Sequence, residues 1–384
     1  MQYRPLGKTD IQASVVGLGT EHLDNKPYAI VDEVIGASLE QGANILDLFM
    51  PGTPVRENIG KALGRRRHDV IIQGHIGSTD LNQQYDMSRD PKICEKFFNE
   101  LLRCMNTDYI DIGMMFFIDT EKDFKEAFES DYLDYVLRLK KEGKIRLIGA
   151  SSHHPEIAAK VIETGIVEHL MFSVNFAYDM LPSEVYIIDM LMADQALDQK
   201  NFKGINPQRA RLYELCAARG VSITTMKTLG AGKLIDANHT PFARPLTVPQ
   251  CIHYALSRPG VVSTLIGCKN REEVLEAVSY LDKTEAELDF SDAVSTFRDT
   301  FSGKCVYCNH CLPCPSEIDI AAVTKYMEIA ALDVKNVPPS IRQHYDTLSH
   351  KASECVECGS CESRCPFNVS VIENMKKAAM IFGT

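Results

Sequence analysis

The stretch IRLIGASSHHPEIAAKVIE (residues 145–163) decides the fold. Residues 145–149 form a short apolar run interrupted only by Arg146. A polar junction of Ser151, Ser152, His153 and His154 follows, and Pro155 then opens a helical pattern that lasts to Glu163. A short apolar run bounded this way reads as a buried strand, and proline is preorganised for the first turn of a helix. The unit is therefore strand, polar junction, helix.

The same unit recurs in both directions. Strand patterns occupy residues 15–18, 44–48, 70–73, 109–114, 145–149, 169–174, 221–225 and 262–266. Helical patterns such as 29–41, 91–104, 132–142, 155–163, 207–219 and 272–280 lie between them. Eight units predict an α/β protein closed into a (β/α)8 TIM barrel, with an open doubly wound sheet as the alternative. A β-hairpin precedes the first unit, around the polar turn Gly7-Lys8-Thr9-Asp10. The connection over residues 176–206 far exceeds the usual two to six residues. It carries Tyr178, Asp179, Met190 and Met192 and reads either as a lid over the barrel mouth or as a structural insertion.

Beyond Tyr280 the pattern changes. Residues 284–301 are charged and helical, and after Gly303 and Lys304 the chain enters CVYCNHCLPCP (305–315) and later CVECGSCESRCP (355–366). Three thiolates at Cys-x2-Cys-x2-Cys spacing wrap one corner of an iron–sulfur cubane, and a fourth ahead of proline reaches the other cluster in two-cluster ferredoxins. The expected sets are crossed: Cys305, Cys308 and Cys311 with Cys365, and Cys355, Cys358 and Cys361 with Cys314. The first motif has one residue fewer before its last cysteine, so ligation is the firmer expectation and crossing the weaker. Four-thiolate zinc sites are the competing reading. Helical patterns at 320–332 and 371–381 make the region a small, mostly helical ferredoxin-like module, with no repeat visible beyond the cysteine motifs. The domain expectation is a barrel over 1–285 and a two-cluster [4Fe-4S] module over 286–384, each burying its own core.

Hydrophobic content of 45% and charged content of 24% are those of a globular protein, and no apolar run approaches the roughly 20 residues of a membrane span. The net charge of -11 disfavours nucleic acid, and the one basic run, Arg65-Arg66-Arg67-His68, reads as a solvated helix end. No secretory pattern opens the chain, which predicts a cytoplasmic protein and argues against disulfides. Cys94, Cys104, Cys216 and Cys251 fall in helical patterns and read as core. Cys268 follows a strand at the predicted site, as a core thiol or a reactive one.

Barrel chemistry sits just past the C-terminal strand ends. There the sequence resembles the aldo-keto reductases, in a branch fused to a C-terminal iron–sulfur module. GANILDLF (42–49) and RENIGKAL (56–63) resemble the family's second strand and helix, IRLIGAS (145–151) its fifth strand, MKTLGAGKL (226–234) its seventh loop and LIGCKNREEV (265–274) its eighth. The resemblance implies a catalytic tetrad of Asp, Tyr, Lys and His around a nicotinamide. Asp47 matches the aspartate, whereas the other three positions hold Gly52, His75 and Phe116. It further implies that Ser151, Ser152 and Asn175 meet the nicotinamide carboxamide. Lys227, Gly230, Gly232, Gly267 and Lys269 would line the phosphate loops, and Glu273 stands where the family binds a 2′-phosphate. NADPH is thus disfavoured relative to NADH, and the same two loops suit the phosphate of FMN. A reduction still needs an acid, and imidazole has a suitable pKa. His75 beside Asp47 is the candidate donor, with His153 and His154 in reserve; the competing reading makes His75 a polar residue satisfied by Asp47. A small-molecule substrate and a redox partner protein complete the expectation, because clusters move electrons singly while nicotinamide moves hydride.

Overall fold

The computed structural model describes all residues except 82–83, 183, 193–196, 203 and 298–300. Eight parallel strands close a barrel in chain order: β1 (Val16–Gly19), β2 (Ile45–Leu48), β3 (Ile71–Ile76), β4 (Ile110–Met115), β5 (Ile145–Ser152), β6 (His169–Ser173), β7 (Ser222–Met226) and β8 (Val261–Gly267), with β8 pairing back onto β1. The helices that follow the strands are α1 (Tyr28–Glu40), α2 (Thr53–Leu63), α3 (Pro91–Cys104), α4 (Asp131–Lys141), α5 (Pro155–Glu163), α6 (Pro207–Arg219), α7 (Val248–Leu256) and α8 (Arg271–Val278). Closure, rather than an open sheet, follows from that β8–β1 pairing, which leaves no strand edge.

Local chemistry explains the boundaries. Asp90 caps α3 through its carboxylate and Pro91 begins it, while Gly220 ends α6 in the left-handed conformation. Gly60 lets α2 lie directly against the end of α3: a Cβ there would stand 1.9 Å from the Cys104 carbonyl oxygen. The barrel interior is filled by Ile45, Ile71, Ile112, Met114, Leu147, Met171, Val262 and Leu265. The N-terminal hairpin, Tyr3–Pro5 with Gln12–Ser14, adds Leu6 and Ala13 to the same cluster and so plugs the barrel floor.

Two expectations about the basic run and the linker are corrected. Arg65, Arg66 and His68 are exposed, as a solvated helix end requires, but Arg67 is buried, with its guanidinium on the carbonyls of Val70 and Tyr109, and is a structural tie. Residues 284–301 are not one helix. Their described part holds Glu285–Leu288 and a single 3-10 turn, Ser295–Phe297, because Phe290, Phe297 and Phe301 are drawn into a core and anchor irregular chain.

That core is shared, which corrects the expectation of separate ones. Phe176 of the long connection meets Phe242, Tyr254, Phe290 and Phe301 at ring separations of 5.6, 4.9, 5.6 and 5.7 Å. Phe301 in turn meets Phe367 of the cysteine module at 6.1 Å. The described residues of the long connection pack here too, through Tyr178, Met180, Leu181, Ile187 and Met190, while Tyr186 reaches the barrel mouth and meets His154 at a ring separation of 4.9 Å.

The cysteine module adds α9 (Ile320–Ala331), α10 (Pro339–Asp346) and α11 (Val371–Phe382). Its repeat extends beyond the cysteines. Tyr307 and Glu357 occupy the left-handed region at φ 57 and 55°, Asn309 and Gly359 at 66 and 74°, and Glu317 and Asn368 at 54 and 53°, each pair at equivalent motif positions. Then α9 and α11 begin at the same offset from Cys314 and Cys365 and pack against each other. The helices conceal this in sequence because IAAVTKYMEIAA and VIENMKKAAMIF share a pattern but few residues.

Candidate functional site

The side chains at the C-terminal strand ends gather into two Asp–His pairs. Asp47 on β2 is 2% exposed, and its Oδ1 accepts from His75 Nε2 at 2.8 Å and from Gln73 Nε2 at 3.0 Å. Gln73 and His75 are two apart on β3 and therefore share its inward face. With Nε2–H committed to Asp47, His75 Nδ1 is left buried and without a partner.

From Gln73 the network continues down the barrel axis. Its Oε1 accepts from Thr224 at 2.8 Å and lies 3.1 Å from His169 Nε2, while His169 Nδ1 is 2.7 Å from Ser222 Oγ. Burial lowers the His169 pKa from 6.5 to about 3, so the ring is neutral. Gln73 and His169 were not singled out from sequence. The available signal was a polar residue inside each of two apolar strand runs.

The second pair is His153 with Asp119. His153 Nδ1 lies 2.9 Å from Asp119 Oδ2, its backbone N–H donates to Asp119 Oδ1 at 2.6 Å, and Ser152 Oγ donates to the same oxygen at 3.0 Å. Burial works to raise the Asp119 pKa, but the charge and hydrogen bonds of His153, helped by Ser152, outweigh it and hold the carboxylate below its usual value. The two pairs do not touch. Between them stand Phe116 and Phe117: His75 to Phe116 is 5.1 Å, Phe116 to Phe117 5.8 Å, and Phe117 to His153 5.4 Å. Phe49 and Tyr85 complete the aromatic wall, Tyr85 arriving on a hairpin after β3, Ser78–Leu81 with Gln84–Met87, that the sequence reading did not anticipate.

The residues assigned to a cofactor are mostly engaged within the protein. Ser151 Oγ accepts from the Phe117 N–H at 2.8 Å, and Ser152 is fully buried against Asp119. Asn175 Oδ1 accepts from Tyr178 N–H at 2.8 Å while its Nδ2 donates to the Lys227 carbonyl at 2.8 Å, so it ties β6 to the seventh loop. Lys227, Gly230, Ala231 and Gly232 all have positive φ, and the Gly230 and Gly232 N–H groups donate to the carbonyls of Lys227 and Leu229 at 2.8 and 3.0 Å. Lys227 Nζ lies 3.6 Å from Glu21 of the loop after β1, and Gly267 is pressed by His22 of the same loop, 2.7 Å from where a Cβ would stand. On the eighth loop the Lys269 N–H donates to Glu273 Oε2 at 2.8 Å and Asn270 caps α8, so the Glu273 carboxylate already occupies a donor there. Cys268 is 2% exposed and burial pushes its pKa up to about 12, which makes it a core thiol.

In the module, Cys314, Cys355, Cys358 and Cys361 line one pocket together with Pro315, Arg364 and Met375. The other four gather apart from it. Cys308 and Cys311 have their pKa pushed up to about 12, by burial first and then in part by neighbouring thiols that include Cys365. The turned-in loops with left-handed residues at Tyr307, Asn309, Glu357 and Gly359 direct backbone N–H groups toward the thiols, a setting that suits a sulfide-bearing cluster. Arg364 fastens the motifs together through the carbonyls of Cys311 and Pro313, both at 2.6 Å. Each set contains one buried cysteine, Cys308 and Cys361, and Cys358 of the second set is exposed.

The sequence model of the aldo/keto reductase family matches residues 15–245, and that of a 4Fe-4S dicluster domain matches residues 304–370. Two curated proteins of Bacillus subtilis are similar. The uncharacterized oxidoreductase YqkF is 30% identical over 192 residues, 48% of this chain and 59% of that protein. The aldo-keto reductase YhdN is 30% identical over 162 residues, 40% of this chain and 47% of that one. The chain thus spans less than two thirds of either. The solved aldo-keto reductase AKR11C1 from Bacillus halodurans superposes with a TM-score of 0.57 at 21% identity, covering 74% of this chain and 92% of that one, and shares the fold. Among the described residues no helix is long and apolar enough to cross a membrane.

Proposed function

Because the chain belongs to the aldo/keto reductase family and carries a 4Fe-4S dicluster domain, we propose that it is an oxidoreductase coupling a cofactor-bound barrel to single-electron transfer. The barrel unit (1–285) takes a nicotinamide or flavin and a small organic substrate. The module (286–384) holds two [4Fe-4S] clusters that exchange electrons with a redox partner protein, in the cytoplasm. The observation that carries this reading is the shared aromatic core, which seats the cluster loops directly on the barrel instead of on a flexible tether.

When bound, the organic cofactor supplies hydride or a flavin's one- and two-electron steps. The chain's own residues do the rest. Asp47 fixes the His75 ring through Nε2, which leaves Nδ1 as the ring atom able to hold and deliver a proton to a substrate oxygen. Phe49, Tyr85 and Phe116 exclude water from that atom. Lys227, Gly230, Gly232, Gly267 and Lys269 hold the cofactor's phosphate. The inner ligand set is Cys305, Cys308, Cys311 and Cys365, and the outer is Cys314, Cys355, Cys358 and Cys361.

Anaerobic purification followed by iron and acid-labile sulfide analysis, then titration with NADH, NADPH and FMN, tests the proposal. Two clusters and tight binding of NADH or FMN are expected. Iron-free protein from such a preparation would sink it. The saturation of Ser152 and Asn175 within the protein favours one second reading, a degenerate barrel serving as scaffold for the module; that reading predicts clusters but no binding of any of the three ligands.

A further inference from the structure

A positive charge is buried between barrel and module. Arg258, just past α7, is 6% exposed, and its guanidinium is sandwiched between the rings of Tyr254 at 4.3 Å and Tyr307 at 4.5 Å. It donates to the carbonyl of Tyr254 at 3.3 Å, to Ser257 Oγ at 2.9 Å and to the carbonyl of Val306 at 3.2 Å. Val306 and Tyr307 lie between Cys305 and Cys308, so the charge rests on the first cysteine loop.

Among the described residues Arg258 makes no direct ion pair, although the Glu328 carboxylate, which accepts from Tyr307 Oη, lies within its field. Asp179, whose field reaches it, is itself saturated by Arg209 Nε at 2.7 Å, Tyr213 Oη at 2.6 Å and Tyr254 Oη at 2.7 Å. Of the other buried arginines, Arg209 has Asp179 and Arg67 has Asp111 at 3.6 Å, while Arg56 rests on the carbonyls of Met50 and Phe97. A buried charge without a counter-ion costs several kcal/mol, which is why such charges are almost always paired.

We propose that Arg258 is the resident counter-charge of the inner cluster, the one held by Cys305, Cys308, Cys311 and Cys365. This rests on the assignment of the eight thiols made above. A cluster bound by four thiolates is anionic and gains one further negative charge when it accepts an electron. A cation held against its loop therefore favours the reduced form and raises the midpoint potential of that cluster alone. The aromatic faces on either side keep water from screening the charge, and they suit a planar guanidinium better than an ammonium. Arg258 thus acts as a positioning residue that sets how readily the inner cluster takes an electron from the exposed one.

The test is an EPR-monitored redox titration of the anaerobically loaded full chain, which needs no barrel turnover and so fails independently of the proposed reaction. Arg258→Met removes the charge and keeps most of the stem. Replacing a buried unpaired cation by an apolar chain is often tolerated. The expected result is a downward shift of one midpoint with the other unmoved. Cys358→Ser, which removes the outer cluster, identifies the shifted one as inner. Two midpoints at their wild-type values, or two shifted together, overturn the proposal. Should the methionine variant not fold, Arg258→Lys decides: it keeps the charge but withdraws it from Val306, so a smaller downward shift of the same midpoint is expected, and no shift overturns the assignment.

Discussion

Acid should weaken the barrel through His169, a residue with no contact to any cysteine motif. The ring is fully buried on β6, between Ser222, Thr224 and Gln73, and burial lowers its pKa from 6.5 to about 3. Between those two values the unfolded chain binds a proton that the folded barrel refuses. The His169 contribution is therefore complete above 6.5 and declines as the pH falls, at about 1.4 kcal/mol per unit. By about pH 5 the loss reaches roughly 2 kcal/mol. The comparison is between wild type and His169→Gln, whose amide can keep a hydrogen bond to Thr224 or Ser222 but does not titrate. Urea unfolding followed by far-UV circular dichroism under anaerobic conditions, at about pH 7.5 and about pH 5, gives the difference directly. The variant should start less stable, having lost ring volume and one partner, yet lose about 2 kcal/mol less than wild type on acidification. Parallel pH dependence of the two proteins would refute the reasoning and mean that the ring is protonated, or water-exposed, in the folded state.

His75→Ala should slow reductive turnover by roughly a hundredfold or more with little change in cofactor affinity, and wild-type rates in steady-state assays would move the acid role to His153. Cys358→Ser should halve the iron content while the circular dichroism of the barrel persists, because Cys358 is exposed and outside the shared core; unchanged iron would show that it is not a ligand. Glu273→Arg should improve NADPH binding by about 1 kcal/mol or less in calorimetry, the scale of one exposed ion contact. Tight NADPH binding by the wild type would remove the basis of that prediction. Cys268, with its pKa pushed up to about 12, should resist iodoacetamide near neutral pH in the folded chain; rapid alkylation would show that the eighth loop opens.

The barrel was legible because its elements obey local rules. Pro155 and Pro207 open their helices where the pattern changes, and α3, α5 and α6 run over the residues that the pattern marked. Buried parallel strands read as apolar runs, so all eight were visible, with β3 and β5 each extending three residues further than the hydrophobic signal. The shared core was not legible. Phe176, Phe242, Phe290, Phe301 and Phe367 lie in segments without periodicity, and nothing local to any one of them signals the others across the chain. Separate cores were inferred from a change in pattern, but a change in pattern marks a change in local structure only.

The departures at the mouth make one chemical arrangement rather than three independent losses. Where the family pattern has lysine and histidine, this chain has His75 and Phe116, packed edge to face at 5.1 Å. Without a lysine, the Asp47 carboxylate would be a buried charge lacking a partner; the His75 Nε2–H and the Gln73 amide supply two donors to its Oδ1 instead. Fixing Nε2 in this way leaves Nδ1 as the free atom of the ring, and the Phe116 and Phe49 rings beside it keep the surroundings dry, where a single proton donor interacts most strongly with a developing oxyanion. The aromatic residue thus complements the imidazole. It follows that Phe116→His, which restores the family residue, should fail to improve turnover: a second imidazole there introduces a polar ring and its water beside Nδ1. Turnover in Phe116→His above that of wild type would show that Phe116 is a loss that the site tolerates, and that His75 does not act as the acid in a dry pocket.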